Sequence, residues 1–293
     1  MSLNSVVCFG ELLWDILPSG KQPGGAPMNV AFHLNNFGFD VNVVSKVGHD
    51  SFGNDIISIF KEYGINTASI TTTSKYATGK VNVQLNPKGI PSYEILHPAA
   101  WDFIELDKES SSLIKNADIL VYGSLSTRNI ISRNALLKSI SLAKLKILDI
   151  NLRKPFYSEE IISELLHHAN ILKLNDDELE VLSNWFHIEG DLKQKLSFIK
   201  NEFKLDQICL TIGEKGAYLY NGNKIYHSVS KKITVEDTIG SGDAFLAAYI
   251  FGLTKNFSPQ KTLDLAVAVG GFIASTKGAM NTITPQGAIA LIN

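Results

Sequence analysis

Residues 237–245 read Asp-Thr-Ile-Gly-Ser-Gly-Asp-Ala-Phe and run straight into an apolar stretch. Gly240 and Gly242 lack Cβ atoms, so the backbone there can turn its N–H groups toward one point. A helix starting at that point adds partial positive charge. Such a loop suits an anion, above all the charge spread over a phosphoryl group in transfer. Asp243 falls in the first helical turn, where a carboxylate can take a proton from a hydroxyl beside that group. The same residue also suits a plain helix cap.

Four further segments carry polar residues at the mouths of elements. In Pro23-Gly24-Gly25-Ala26-Pro27-Met28-Asn29 a glycine pair precedes a helix, and Asn29 offers a donor and an acceptor to a hydroxyl. Asp15, upstream, can accept from two sugar hydroxyls; tight-turn and solvated-acid readings stand beside these. Asp149-Ile150-Asn151-Leu152-Arg153 follows an apolar run, so its polar side chains are expected in a strand-end crevice, with Arg153 steering phosphates or sugar oxygens, or making a surface ion pair. Asn175-Asp176-Asp177-Glu178 places acids where Mg²⁺ beside a triphosphate could be held through water. For Asp176 and Asp177 the expected role is support of a helix N-terminus. Thr211-Ile212-Gly213-Glu214-Lys215-Gly216 is a run and a glycine-rich turn that either meets nucleotide phosphates or makes a hairpin.

These segments need elements to hold them. Segments rich in apolar residues at 6–9, 41–47, 119–122, 146–150, 171–174 and 208–212 read as strands. Helical periodicity appears near 27–37, 52–63, 131–142, 161–169 and 176–185, with buried apolar helices at 243–253 and 259–274. Repeated strand–helix units predict an α/β fold with a mostly parallel sheet covered on both faces. Ligands of such sheets sit beyond the strand carboxyl ends, where the polar segments fall. Residues 71–97 differ: Val81, Val83 and Leu85 alternate with polar residues, Asn86-Pro87-Lys88-Gly89 reads as a turn, and Tyr93 and Ile95 alternate again. That is hairpin patterning, expected to form a lid or small accessory sheet.

The chain has 293 residues, 45% of them hydrophobic and 19% charged, with a net charge of −2. This balance fits a full globular core and offers no polyanion-binding surface. No apolar run reaches the roughly 18 residues of a membrane span, and the first residues lack signal-peptide patterning, so a soluble cytoplasmic protein is expected. Cys8 and Cys209 lie in apolar runs and are expected as buried thiols. The seven histidines show no metal spacing.

Taken together, these motifs resemble the PfkB, or ribokinase-like, family of carbohydrate kinases over essentially the whole chain. Residues 237–250 are similar to its C-terminal signature and 24–38 to its N-terminal glycine signature. Val47-Gly48-His49-Asp50-Ser51-Phe52-Gly53 and the pair Asn175 and Glu178 match further family motifs. Ser241 stands where the family loop usually has alanine, and Pro23 where a small residue is usual. The resemblance implies a single ribokinase-like domain over 1–293, a three-layer sandwich with lid segments near 11–24 and 76–98. It implies Asp243 as the base, and the N–H groups of Gly240, Ser241 and Gly242 as an anion hole. Asp15, Gly24, Gly25, Asn29, Trp101 and Arg153 would hold the sugar, Trp101 either covering a sugar face or packing in the core. Asn175, Glu178, Thr211, Gly213 and Gly216 would serve ATP, with Mg²⁺ reached from Glu178 through water. Asp237 and Ile239 correspond to a monovalent cation site, so K⁺ is a further expectation. The lid would close over the sugar and could pair two subunits into a homodimer; no nucleic acid or membrane partner is implied. The glycine signature, residues 149–153 and Pro98-Ala99-Ala100-Trp101-Asp102 look most like the fructokinase branch. Fructose is therefore the expected acceptor; ribose, tagatose, 2-keto-3-deoxygluconate and nucleosides are the alternatives. A catalytically silent sugar-binding regulator is the alternative of another class.

Overall fold

In the computed structural model, residues 3–17, 20–85 and 91–293 are described. The turn expected at 86–89 lies outside them. The chain runs β1 (Ser5–Phe9), β2 (Leu13–Leu17), β3 (Gly20–Gly24), α1 (Ala26–Asn36), β4 (Asp40–Gly48), α2 (Ser51–Glu62), β5 (Ile70–Thr73), β6 (Gly79–Leu85) and β7 (Pro91–Ile95). It continues α3 (Lys108–Asn116), β8 (Ile119–Gly123), α4 (Ile130–Leu142), β9 (Leu145–Asp149), α5 (Glu159–His168), β10 (Ile171–Asn175), α6 (Asp176–Trp185) and α7 (Leu192–Glu202). It ends β11 (Gln207–Thr211), β12 (Ala217–Asn221), β13 (Lys224–Ser228), α8 (Ser241–Thr254), α9 (Pro259–Ala274) and α10 (Pro285–Ala290).

Nine strands form the main sheet in the order β13-β12-β11-β10-β9-β8-β1-β4-β5. All neighbours are parallel except β12, which pairs antiparallel with both β11 and β13. The central strands are buried on both faces, as continuous apolar runs require. In β1, Val6 and Cys8 join a core with α1, α8 and α9, while Val7 and Phe9 join a second core beneath the helices between β8 and β11. Both cysteines are buried free thiols, as expected. Among the described residues no helix is long and apolar enough to cross a membrane.

A second sheet, in the order β3-β2-β6-β7, forms the lid. The alternating segment near 81–95 was legible as a hairpin; β2 and β3 were not read as strands, because Pro18, Gly20 and Pro23 break their pattern. Asp50 ties the lid to the main body. It caps α2 through the Gly53 amide at 2.8 Å and accepts from the Thr78 amide at 2.9 Å and the Thr78 hydroxyl at 2.7 Å, just before β6. Burial alone would raise the Asp50 carboxyl, but these hydrogen bonds hold it below its usual value.

Candidate active site

The site lies where the strand order turns back on itself, with β1 between β8 and β4. Crevices form at such switch points. Helix α8 begins at Ser241, two residues before Asp243, with Gly240 in the left-handed region at φ 76°. A side chain at Gly240 would run into Ala279, so both its φ and its surroundings demand glycine. Ser241 donates its N–H to the Thr238 carbonyl at 3.3 Å, so one of the three amides expected to face an anion is engaged within the loop in this state.

Asp243 is half-buried and accepts a hydrogen bond from Asn29 Nδ2 at 2.8 Å, across 214 residues of sequence. One contact thus joins the helix after the first glycine pair to the helix after the second. The Asn29 Oδ1 is buried and has no partner among the described residues. Burial pushes the Asp243 carboxyl up to about 6, with the negative Asp149 adding to the rise; Lys173, Asn29 and Arg153 pull the other way. A carboxylate so placed is a stronger proton acceptor than a solvated one and stays ionised at neutral pH.

The other sugar-side expectations gather around it. Asp15 sits in the middle of β2, on the lid, rather than at a strand end of the main sheet. Burial raises it to about 6, against the pull of Arg153 and with the push of Asp237. A Cβ at Gly24 would stand 2.5 Å from Asp15 Oδ2, and one at Gly25, where φ is 107°, would strike the Glu11 carbonyl. The glycine pair is therefore shaped to pass between Glu11 and Asp15. Arg153 is exposed, with its guanidinium on the Leu152 carbonyl at 3.2 Å. It follows Asn151, whose φ of 42° turns the chain out of the strand.

Two expectations need correction. Trp101 is fully buried, and the Arg128 guanidinium covers its ring at 3.9 Å. Packing, not an open ring face, is what its position provides. Asp149 does not face the crevice: both its oxygens accept from the buried Lys173 ammonium, at 2.8 and 3.0 Å. A carboxylate in a parallel central strand must be paired to be buried, and the register sets Lys173 directly beside it.

On the nucleotide side, Asn175 and Thr211 are register partners at the ends of β10 and β11. Gly213 follows at φ 57°, and a side chain at Gly216 would strike the Ser228 carbonyl. Asn175 and Glu178 form a reciprocal capping box on α6. The Glu178 oxygens accept from the Leu152 amide at 2.8 Å and the Asn175 amide at 2.9 Å. Glu178 therefore joins the loop carrying Arg153 to the loop after β10. Burial raises its pKa, opposed by Lys173. The Asp237 carboxylate accepts from the Ile239 amide at 2.9 Å and the Gly278 amide at 3.2 Å.

Sequence reasoning missed two residues. Lys173 reaches from β10 to α8, where its Nζ would lie 3.1 Å from a Cβ on Gly242. Burial favours the neutral amine, but Asp149, Glu178 and Asp243 outweigh it and raise the Lys173 pKa, so the cation persists beneath the loop. A lone polar letter in the run Ile-Leu-Lys-Leu was the available signal. Glu11, buried against the Ala26 amide at 3.3 Å, is raised to about 7 by burial.

Residues 9–286 fit the model of the pfkB family carbohydrate kinases. The chain belongs to that family. It is 30% identical over 310 residues to fructokinase-1 of Oryza sativa subsp. japonica, covering 96% of this chain and 95% of that one. Among solved structures, a sugar kinase of Pyrococcus horikoshii in complex with ATP is 25% identical, with a TM-score of 0.83 over 98% of this chain and all of that one. Fructokinase of Xylella fastidiosa with bound ATP is 23% identical, with a TM-score of 0.87 over 98% of both chains. The protein is thus a pfkB-family sugar kinase with a ribokinase-like fold.

Proposed function

We propose that this kinase transfers the γ-phosphoryl group of ATP to the hydroxymethyl group of fructose, giving fructose 6-phosphate. The observation that carries the reading is the Asn29–Asp243 hydrogen bond, which sets the hydroxyl-binding helix against the base at the mouth of α8. Asp243 takes the proton of the attacking hydroxyl as its oxygen bonds to the γ-phosphorus and the bond to ADP breaks. The amides of Gly240 and Gly242, with α8 behind them, face the charge in flight, and Lys173 supplies a fixed cation below. The unpartnered Asn29 Oδ1 and the Asp15 carboxylate accept from sugar hydroxyls, and Arg153 neutralises the surrounding acids. Fructose is favoured over other acceptors by the likeness to fructokinases across nearly the whole chain.

ATP occupies the ends of β10 and β11 and the turn 213–216. Among the described residues no three acidic, histidine or cysteine side chains converge on a metal position. Mg²⁺ accordingly comes with the ATP phosphates and neutralises their charge, Glu178 reaching it through water. Asp237 keeps lone pairs beyond its two amide bonds, and with the Ile239 carbonyl offers the oxygen donors that suit K⁺.

The test is ADP release with ATP, Mg²⁺ and K⁺ over a panel of sugars. The expected result is the highest kcat/KM for fructose. Turnover with a different sugar alone would remove the fructose assignment, and folded protein inactive on every sugar would overturn the reading.

A further inference from the structure

Helix α1 presents two polar side chains one turn apart toward the α8 region. Asn29 reaches Asp243. His33, with none of its surface exposed, places Nε2 2.9 Å from the Ala279 carbonyl, 246 residues away. The carbonyl can only accept, so Nε2 carries the proton and Nδ1 is left as a lone pair. That Nδ1 is buried without a partner among the described residues. An apolar side chain of equal size would fill the same space without an orphaned acceptor; what the histidine adds is the bond to Ala279.

Ala279 is no ordinary loop residue. Its Cα lies 2.8 Å from where a Cβ on Gly240 would stand, so the loop around it is the back wall of the glycine turn. The preceding Gly278 amide bonds Asp237, and Asn281 Nδ2 closes the loop on the carbonyls of Gly278 at 2.8 Å and Lys277 at 2.9 Å. The same helix face therefore fixes the base through Asn29 and the wall behind the anion-facing glycine through His33.

We propose that His33 is a positioning residue, which holds residues 277–281 and through them Gly240 in register with the sugar-binding helix, so that phosphoryl group and acceptor are presented in line. The inference rests on the reading of Asp243 as base and of residues 240–242 as the anion-facing loop. It assigns His33 no contact with either substrate.

The test compares His33→Leu with His33→Gln, whose amide nitrogen can reach Ala279 much as Nε2 does; His33→Met replaces Leu should that variant not fold. With the sugar that supports turnover, Leu or Met is expected to lower kcat about 10- to 100-fold, as a misplacement near 1 Å does, with the sugar KM changed by less than about threefold. Gln is expected to restore most of kcat. Amide exchange without substrates provides a second readout: Leu should speed exchange in 277–281 and at Gly240, and Gln should not. Unchanged kcat and unchanged exchange in folded His33→Leu would overturn the proposal. So would equal losses in Leu and Gln, which would mark a packing role alone. Asp243→Asn run in parallel separates the two readings. If it is inactive while His33→Leu behaves like the parent, only the positioning role falls. If it keeps full turnover, the base assignment falls and the positioning role with it.

Discussion

At the scale of single residues, the site is governed by carboxylates kept in poorly solvated places. Asp243, Asp15 and Glu11 are raised to about 6, 6 and 7, in each case chiefly by burial. Catalysis through Asp243 requires its ionised form, so kcat should rise with pH through about 6 and level off above; a flat profile from pH 5 to 8 would contradict the assignment. Asp243→Asn should lower kcat by about 10²–10⁴-fold, the usual worth of a general base. Its effect on stability has the opposite sign. An acid whose folded pKa exceeds the unfolded value binds more protons when folded, so it costs stability as pH rises between the two. Removing it should therefore stabilise the protein by up to about 3 kcal/mol above pH 6 and very little at pH 4. Urea melts at the two pH values would show this. His33 titrates the other way: burial lowers it to about 4, so its contribution is present above about 6.5 and is lost as pH falls toward 4.

At the scale of elements, the loops hold because specific side chains have been excluded. Gly240→Ala combines a left-handed φ, worth about 1–2 kcal/mol, with collision against Ala279. Expected outcomes are a lower melting temperature and a kcat reduced more than either substrate's KM. The Asp149–Lys173 pair joins β9 and β10 beneath α8. Either Asp149→Asn or Lys173→Met alone should cost about 3–5 kcal/mol, because an uncompensated charge is left buried, while the double variant should cost less than the sum. Equal additivity in a double-mutant cycle would show that the pair is not coupled. This pair also marks how far the sequence could be read. Asp237, Gly240 and Asp243 were legible because loop, helix start and acid are neighbours in the chain. Asp149 was misassigned because its partner lies 24 residues away, and only strand register makes them adjacent. Glu178 was expected beside the nucleotide, and the letters that suit a metal also write the capping box that sets its oxygens on the Asn175 and Leu152 amides. Strands β2 and β3 were missed because glycine and proline blur the alternation that pairing with β6 restores.

At the scale of the whole molecule, the alternation of strands and helices was enough to anticipate the parallel sheet, since runs such as Ile119–Tyr122 are apolar throughout and must be covered on both faces. The antiparallel edge β12–β13 turns at Asn221-Gly222, a dipeptide suited to a tight hairpin. What periodicity could not supply was the meeting of residues 10–29 with 237–243, because contacts of that separation leave no local pattern. The lid sheet hangs from the main body through Asp50 and Thr78. If it closes on the sugar, fructose should slow amide exchange in 13–17 and 79–82. Thr78→Val, which loses the hydroxyl bond to Asp50, should raise the sugar KM and speed unproductive ATP hydrolysis. A Thr78→Val enzyme with parental KM and no added hydrolysis would separate the lid hinge from water exclusion.

The Asn29–Asp243 contact has a consequence for biosynthesis. Its two residues leave the ribosome 214 positions apart, and α8 must pack on α1 before either is set. Contacts so distant in sequence form late and slow the search for the native state. On the proposed reading of Asp243 as base, a nascent chain that has already made Asn29 lacks its proton acceptor until the last quarter of the protein is made.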